Sequence, residues 1–329
     1  MSRLSLYFLG TAHRWRINLL VSLQKCRYVV RSLFGCKPSI VYYWTQYHNF
    51  GDMLNHDLLN YMGCEHLGPN EIWAYEPVNS HGTAIGSVLQ LLLRTPQRQG
   101  GSPRPVKIFG SGFIAPAEAE DEQFLCPLDI YALRGKLSKE RCEKIMSRSL
   151  DHVVLGDPGL LIKRIFAPIA RNPQYDVGVV YHHTDSEIKP LLDKIRLQTK
   201  TYRLIDISQD TRDFVKEIAQ CRFILSSAMH ALICADSLGI PNCHMIVSNR
   251  VTGGSYKFLD YYSVFPQYEY QPIDMRIPGF VVDDDKIDEL AALYNIKAEQ
   301  VDEICDQLER VFPFPRGKFG VNTKHTKSD

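Results

Sequence analysis

Six short stretches of this chain combine residue types that can do chemistry. Asn49-Phe50-Gly51-Asp52 joins a run that reads as a strand to one that reads as a helix. A glycine there lets backbone approach a ligand closely, and the free N–H groups of a starting helix attract an anion. Asp52 then serves either as a helix cap or as a base. Gly110-Ser111-Gly112 follows another strand, and two glycines around a hydroxyl form either a tight turn or a phosphate nest. Arg134, with Gly135 and Ser138 after it, ends a third strand. Its guanidinium suits a carboxylate or phosphate, or an ordinary ion pair. Gly156-Asp157-Pro158 reads as a turn.

The later half adds two more. His182-His183-Thr184-Asp185 comes directly after a strand, where side chains face a ligand cleft. Adjacent histidines do not make a metal site, and no third ligand stands at a persuasive spacing, so no metal is expected. In Ser226-Ser227-Ala228-Met229-His230 a strand meets a helix. Ser227 can cap that helix while free N–H groups and His230 face one anion, the alternative being a His packed in the first turn. Lys257, after the Gly253-Gly254 turn, reaches an anion or sits on a solvated face. Asp260 and Asp236 are carboxylates in the same region. Neither a P-loop nor a nucleophile elbow nor a kinase set occurs.

Such loops need a scaffold, and the hydrophobic pattern supplies one. Strands are expected over 39–44, 106–109, 130–133 and 153–155, with helices over 52–62, 81–94 and 137–146 between them. A proline-bearing break over 166–175 precedes a second series: strands over 177–181, 202–207, 223–225 and 242–247, and helices over 186–197, 211–219 and 229–238. Helices over 285–294 and 298–311 close the chain, the first opened by Asp283-Asp284-Asp285. Strands alternating with helices imply parallel sheets wrapped in helices. The fold class is α/β, with two Rossmann-like halves facing across a cleft. The expected organisation is a basic amphipathic segment over 1–38, a first domain over 39–168, a second over 169–315 and a polar tail over 316–329.

With 329 residues, 38 Lys and Arg against 37 Asp and Glu, and 45% hydrophobic residues, the chain is neither disordered nor a dedicated nucleic-acid binder. Its charge is uneven, however. Residues 1–51 contain seven Arg and Lys and no Asp or Glu. Their apolar runs fall short of the roughly 20 residues that a membrane span needs, and they lack the pattern of a signal peptide. This segment is either a basic helix packed on the first domain or a peripheral contact with an anionic membrane. Nine scattered cysteines without paired spacing read as reduced thiols in a cytoplasmic protein.

Taken in order, Asn49-Phe50-Gly51-Asp52-Met53-Leu54-Asn55, Gly110-Ser111-Gly112, Arg134-Gly135-Lys136-Leu137-Ser138, Gly156-Asp157-Pro158, Ser227-Ala228-Met229-His230-Ala231 with residues 235–241, and Lys257-Phe258 with Asp260-Tyr261 resemble the polysaccharide pyruvyl transferase family over residues 41–262. Many members carry Arg two positions before the motif His. Ala228 stands there in this chain, which is more similar to the succinoglycan-type ketal-pyruvate transferases.

The resemblance implies a GT-B-like fold and transfer of pyruvate from phosphoenolpyruvate to two hydroxyls of one sugar. The product would be a cyclic ketal in a bacterial exopolysaccharide or capsule, on a free or lipid-linked acceptor, at or near the inner face of the plasma membrane. No further cofactor is implied. On this reading His230 is the acid or phosphate partner and Asp52 the base. Gly110, Ser111, Gly112, Arg134, Ser226, Ser227 and Lys257 bind the donor, and Asn49, His182 and His183 lie toward the acceptor. The alternatives are a nucleotide-sugar glycosyltransferase, with Asp260 or Asp236 on the donor ribose, and a non-catalytic sugar-binding protein.

Overall fold

A computed structural model describes residues 38–45, 48–68, 76–101, 103–182, 184–185 and 192–317. The basic segment over 1–38 lies outside the described residues except for Pro38, as do His183, half of the helix expected over 186–197 and nearly all of the polar tail.

Two all-parallel sheets form the frame. The first contains β1 (Ser39–Tyr42), β2 (His66–Leu67), β3 (Gly82–Thr83), β4 (Val106–Phe109), β5 (Leu128–Leu133) and β6 (Val154–Leu155), in the order β2-β1-β3-β4-β5-β6. The second contains β7 (Tyr175–Val180), β8 (Tyr202–Ile205), β9 (Cys221–Ser226), β10 (Asn242–Ile246) and β11 (Ile273–Asp274), in the order β11-β10-β9-β7-β8. Neighbours in the second sheet pair in register from Val177↔Tyr202 on one side to Met245↔Ile273 on the other. Strands β7 and β9 are buried along most of their length, as helices on both sides of a parallel sheet require, whereas β5 alternates and leaves Asp129 and Tyr131 exposed.

Helices α1 (Phe50–Tyr61), α2 (Lys136–Met146), α3 (Ile162–Ile165), α4 (Thr211–Ala219), α5 (Met229–Ser237), α6 (Tyr256–Tyr262), α7 (Asp284–Leu293) and α8 (Ala298–Arg310) cover these sheets. Helix α4 is strongly amphipathic, burying Phe214, Val215, Ile218 and Ala219 behind a charged outer face. Helix α5 is different: all its residues except His230 are buried, so it is a core helix between the halves. One continuous core joins Phe50, Leu54 and Leu58 of α1 to Phe214 of α4 and Leu232 and Ile233 of α5, with Phe50 and Phe214 stacked at 4.2 Å. Emptying the Phe50 site would cost about 3–5 kcal/mol.

Two segments depart from expectation. The helix expected over 81–94 is instead β3 followed by a 3-10 turn at Leu89–Leu92. At Gly82 a β-carbon would lie 2.5 Å from the Lys107 carbonyl oxygen, and Gly86 has φ +128°, which a helix cannot contain. Tight strand contact therefore overrides the apolar periodicity. At the other end, α8 returns to the first sheet although the sequence groups it with the second. Ile304 sits over Gly156, Lys107 Nζ donates to the Pro313 carbonyl, and Gly317 N–H donates to the Gly63 carbonyl.

Candidate active site

Every interior strand of the two sheets aims its carboxyl end at the space between the halves, where doubly wound folds hold ligands. There a cavity of about 450 Å³ is lined by loops after seven strands, Ile207 following β8. Trp44 and Asn49 follow β1, Gly86 and Val88 follow β3, Ile114 follows β4, and His182 and Thr184 follow β7. Ala228 and His230 follow β9, and Thr252 and Lys257 follow β10.

Asp52 stands in the first turn of α1. Asn49 is the N-cap: its carbonyl oxygen accepts from the Asp52 N–H, and its amide donates to Asp52 Oδ2. Asn55, one turn later and buried, donates to the carbonyl oxygens of Asp52 and Ile85 and accepts from the Ile85 N–H at 2.9 Å. It thus pins the loop carrying Gly86 to α1. Burial pushes the Asp52 carboxyl up to about 7, against the Asn49 hydrogen bond and the charge of Lys257. This places a proton-exchanging carboxyl near neutral pH.

His230 enters from the first turn of α5. Its ring lies against Gly51, where a β-carbon would fall 2.0 Å from Nδ1. Glycine at 51 is thus required by the imidazole rather than by direct approach of a ligand. Burial, reinforced by the charges of Lys257 and Arg134, pushes His230 down to about 3. It is a neutral imidazole at neutral pH. Among the described residues its Nε2 has no hydrogen-bond partner; it points at Asp157 Oδ2, 3.9 Å away and likewise unpartnered there.

Lys257 projects from α6 and is only 8% exposed. Burial and the Arg134 charge lower it to about 8, while Asp52 and Asp185 act in the opposite sense. Its ammonium makes no salt bridge among the described residues. An ammonium so placed attracts an anionic ligand strongly, because little water competes for it.

Five of the residues singled out from the sequence, Asn49, Asp52, His182, His230 and Lys257, therefore line one cavity. The others are used differently. Arg134 is fully buried and committed: Nε donates to Asp260, NH1 to Ser87 Oγ and NH2 to the Phe113 carbonyl. It is not a free anion contact but part of a bolt between the two halves of the chain, in which Ser138 also binds Asp260 through N–H and Oγ. Gly110, Ser111 and Gly112 form a buried turn away from the cavity lining. Ser111 Oγ donates to the Ala84 carbonyl, and Gly112 gives room to the Arg134 guanidinium.

Ser226 closes a local turn with the N–H and carbonyl of Ala228. Ser227 donates to Asp185 Oδ2 and accepts from the His182 N–H, while the cap position of α5 is Ala228. The carboxylates open to a ribose in the alternative reading are both occupied. Asp236 accepts from Asn242, Tyr261 and Tyr294, and Asp260 holds Arg134 and Ser138.

Sequence reasoning missed Trp44, Val88, Leu91 and Ile114, which make much of the cavity wall apolar. It also missed α6, whose only signal was apolar Phe258, Tyr261 and Tyr262 beside two charges that turned out buried.

The fold and cavity define a two-sheet α/β protein with a cavity at the carboxyl ends of its strands. Over residues 101–249 the chain matches the model of the polysaccharide pyruvyl transferase family. An uncharacterized protein of Acanthamoeba polyphaga mimivirus is 28% identical over 139 residues, 42% of this chain and 48% of that relative. The chain thus aligns with about half the length of the curated relative it matches. The wall teichoic acid polymerase TagF, among solved structures, overlaps 94% of this chain and 91% of its own with TM-score 0.33 and 9% identity.

Proposed function

We propose that the protein transfers pyruvate from phosphoenolpyruvate onto two hydroxyls of one sugar, forming a cyclic ketal on a polysaccharide or its lipid-linked precursor, as in exopolysaccharide or capsule synthesis. The observation that carries this reading is Lys257, a buried ammonium that makes no salt bridge among the described residues and stands on the wall of a cavity that also holds Asp52 and His230. A donor bearing phosphate and carboxylate supplies the missing negative charge. Apolar Trp44, Val88, Leu91 and Ile114 suit the C–H face of a pyranose. The two facing sheets are read as a GT-B-like arrangement, and Ala228-Met229-His230 as the succinoglycan-type variant of the family motif.

Protonated Asp52 gives its proton to the methylene carbon, and positive charge develops at the adjacent carbon. One sugar hydroxyl attacks there and passes its proton to neutral His230. The imidazolium so formed protonates the phosphate as the C–O bond breaks. The second hydroxyl closes the ring and returns a proton to Asp52. One hydroxyl proton ends on the new methyl group by way of Asp52 and the other on phosphate. Lys257 holds the donor's anionic groups throughout. The roles of acid and base are thereby shared differently from the sequence reading, because burial keeps His230 neutral at rest.

The test is a phosphorus NMR titration with phosphoenolpyruvate. The wild-type chain should bind it, and Lys257→Met should weaken binding by about 100-fold or more. Equal binding by the two proteins would remove the basis of the proposal.

A further inference from the structure

Asp157 is fully buried at the carboxyl end of β6, outside the residues that line the cavity. Its Oδ1 accepts from the Gly159 N–H at 2.8 Å and caps the 3-10 turn at Pro158–Leu161. Pro158 packs over Gly110, where a β-carbon would lie 2.1 Å from the proline ring. The carboxylate is therefore rigidly held, with Oδ2 left over.

That oxygen and His230 Nε2 are two of three buried side-chain polar atoms without a partner among the described residues, and they face each other across 3.9 Å. Native interiors rarely leave such atoms unpaired. A ring shift of about 1 Å would bring them within hydrogen-bond distance. Because Nε2 is shut away from the cavity, Nδ1 is the ring nitrogen through which His230 can serve a ligand.

We infer that Asp157 is a positioning residue for His230, holding the imidazole with its proton on Nε2 and leaving the Nδ1 lone pair to take a proton from the acceptor. This rests on the proposed reaction for its catalytic meaning, though not for the tautomer itself. When the imidazolium forms, the Asp157 carboxylate stabilises it, as a buried carboxylate behind a catalytic histidine does elsewhere. The other charged groups around the pair are Lys257 and Asp260 on α6, Arg134 after β5 and Asp52 on α1. Of these, the Arg134–Asp260 pair is internally neutralised.

The experiment is a long-range proton–nitrogen NMR spectrum of the full chain labelled with 15N-histidine, His230 being assigned by its loss in His230→Asn. A neutral His230 protonated on Nε2 supports the proposal, and one protonated on Nδ1 overturns it without any variant at 157. Asp157→Asn, which retains a turn-capping oxygen, should change the His230 signals and lower kcat at least about 100-fold, with little change in the KM for phosphoenolpyruvate. Unchanged His230 signals in a folded variant also overturn it. Since the spectrum needs neither donor nor acceptor, failure to consume phosphoenolpyruvate would overturn the proposed function while the tautomer still decides the pairing.

Discussion

Arg134 and Asp260 stand on opposite halves of the chain and meet at 2.9 Å with neither side chain exposed. Around this contact α6 of the second half lies against the first, and a β-carbon at Gly135 would fall 1.7 Å from the Asp260 carbonyl oxygen. Since Lys257 sits one turn before Asp260 on the same short helix, the pair also places the ammonium on the cavity wall.

Breaking this bolt from one side leaves an uncompensated buried charge. Asp260→Asn and Arg134→Met should each lose about 3–5 kcal/mol of stability, while replacing both by apolar residues should cost less than either single change. Urea unfolding of the three variants measures this.

A methyl group at residue 51 would collide with the His230 ring. Gly51→Ala should therefore lower kcat by on the order of 100-fold through displacement of the imidazole. The helix itself should tolerate the change, because Ala is a better helix former than Gly. Steady-state kinetics beside a thermal melt separate the two effects.

Burial penalises the Lys257 ammonium in the resting protein, and the charges of Asp52 and Asp185 offset this only in part. Lys257→Met should leave stability unchanged or raise it, while weakening donor binding about 100-fold or more. Opposite movement of melting temperature and donor affinity is the signature to look for. A parallel loss of both would mark Lys257 as structural.

The pH dependence follows from the direction of each shift. The proposed cycle begins with Asp52 protonated, and burial has raised Asp52 to about 7. Activity should therefore fall as pH rises through about 7. It should fall again near 8, where Lys257 loses its charge. His230, held neutral down to about 3, contributes no acid limb in the neutral range. A kcat/KM profile between pH 5 and 9 that rises through 7 instead would make Asp52 the initial base.

The alternation of strands and helices was legible because each buried strand is a compact apolar run and helices such as α4 carry a clean 3.6-residue period. Asp52, His230 and Lys257 were legible as site residues because they follow strands, and strand ends face the cleft. What local pattern could not reveal was competition for the same groups. Arg134 looks like an anion contact until Asp260, 126 residues away, is seen to claim it. Gly110-Ser111-Gly112 looks like a nest until its hydroxyl is found pointing back at Ala84. The apolar run over 81–94 was misread because close contact between β3 and β4, a long-range constraint, decides its conformation. Asp157 was read as a turn residue, which it is. Its second oxygen acquires a meaning only when His230 is brought opposite to it.

Pyruvyl transfer itself is tested by supplying the full chain with phosphoenolpyruvate and a panel of glycans, free and lipid-linked. Stoichiometric phosphate release is expected, with an acid-labile pyruvate ketal on the sugar, both lost in His230→Ala. Turnover of a nucleotide sugar with phosphoenolpyruvate left intact, or ketal formation undiminished in His230→Ala, would contradict it.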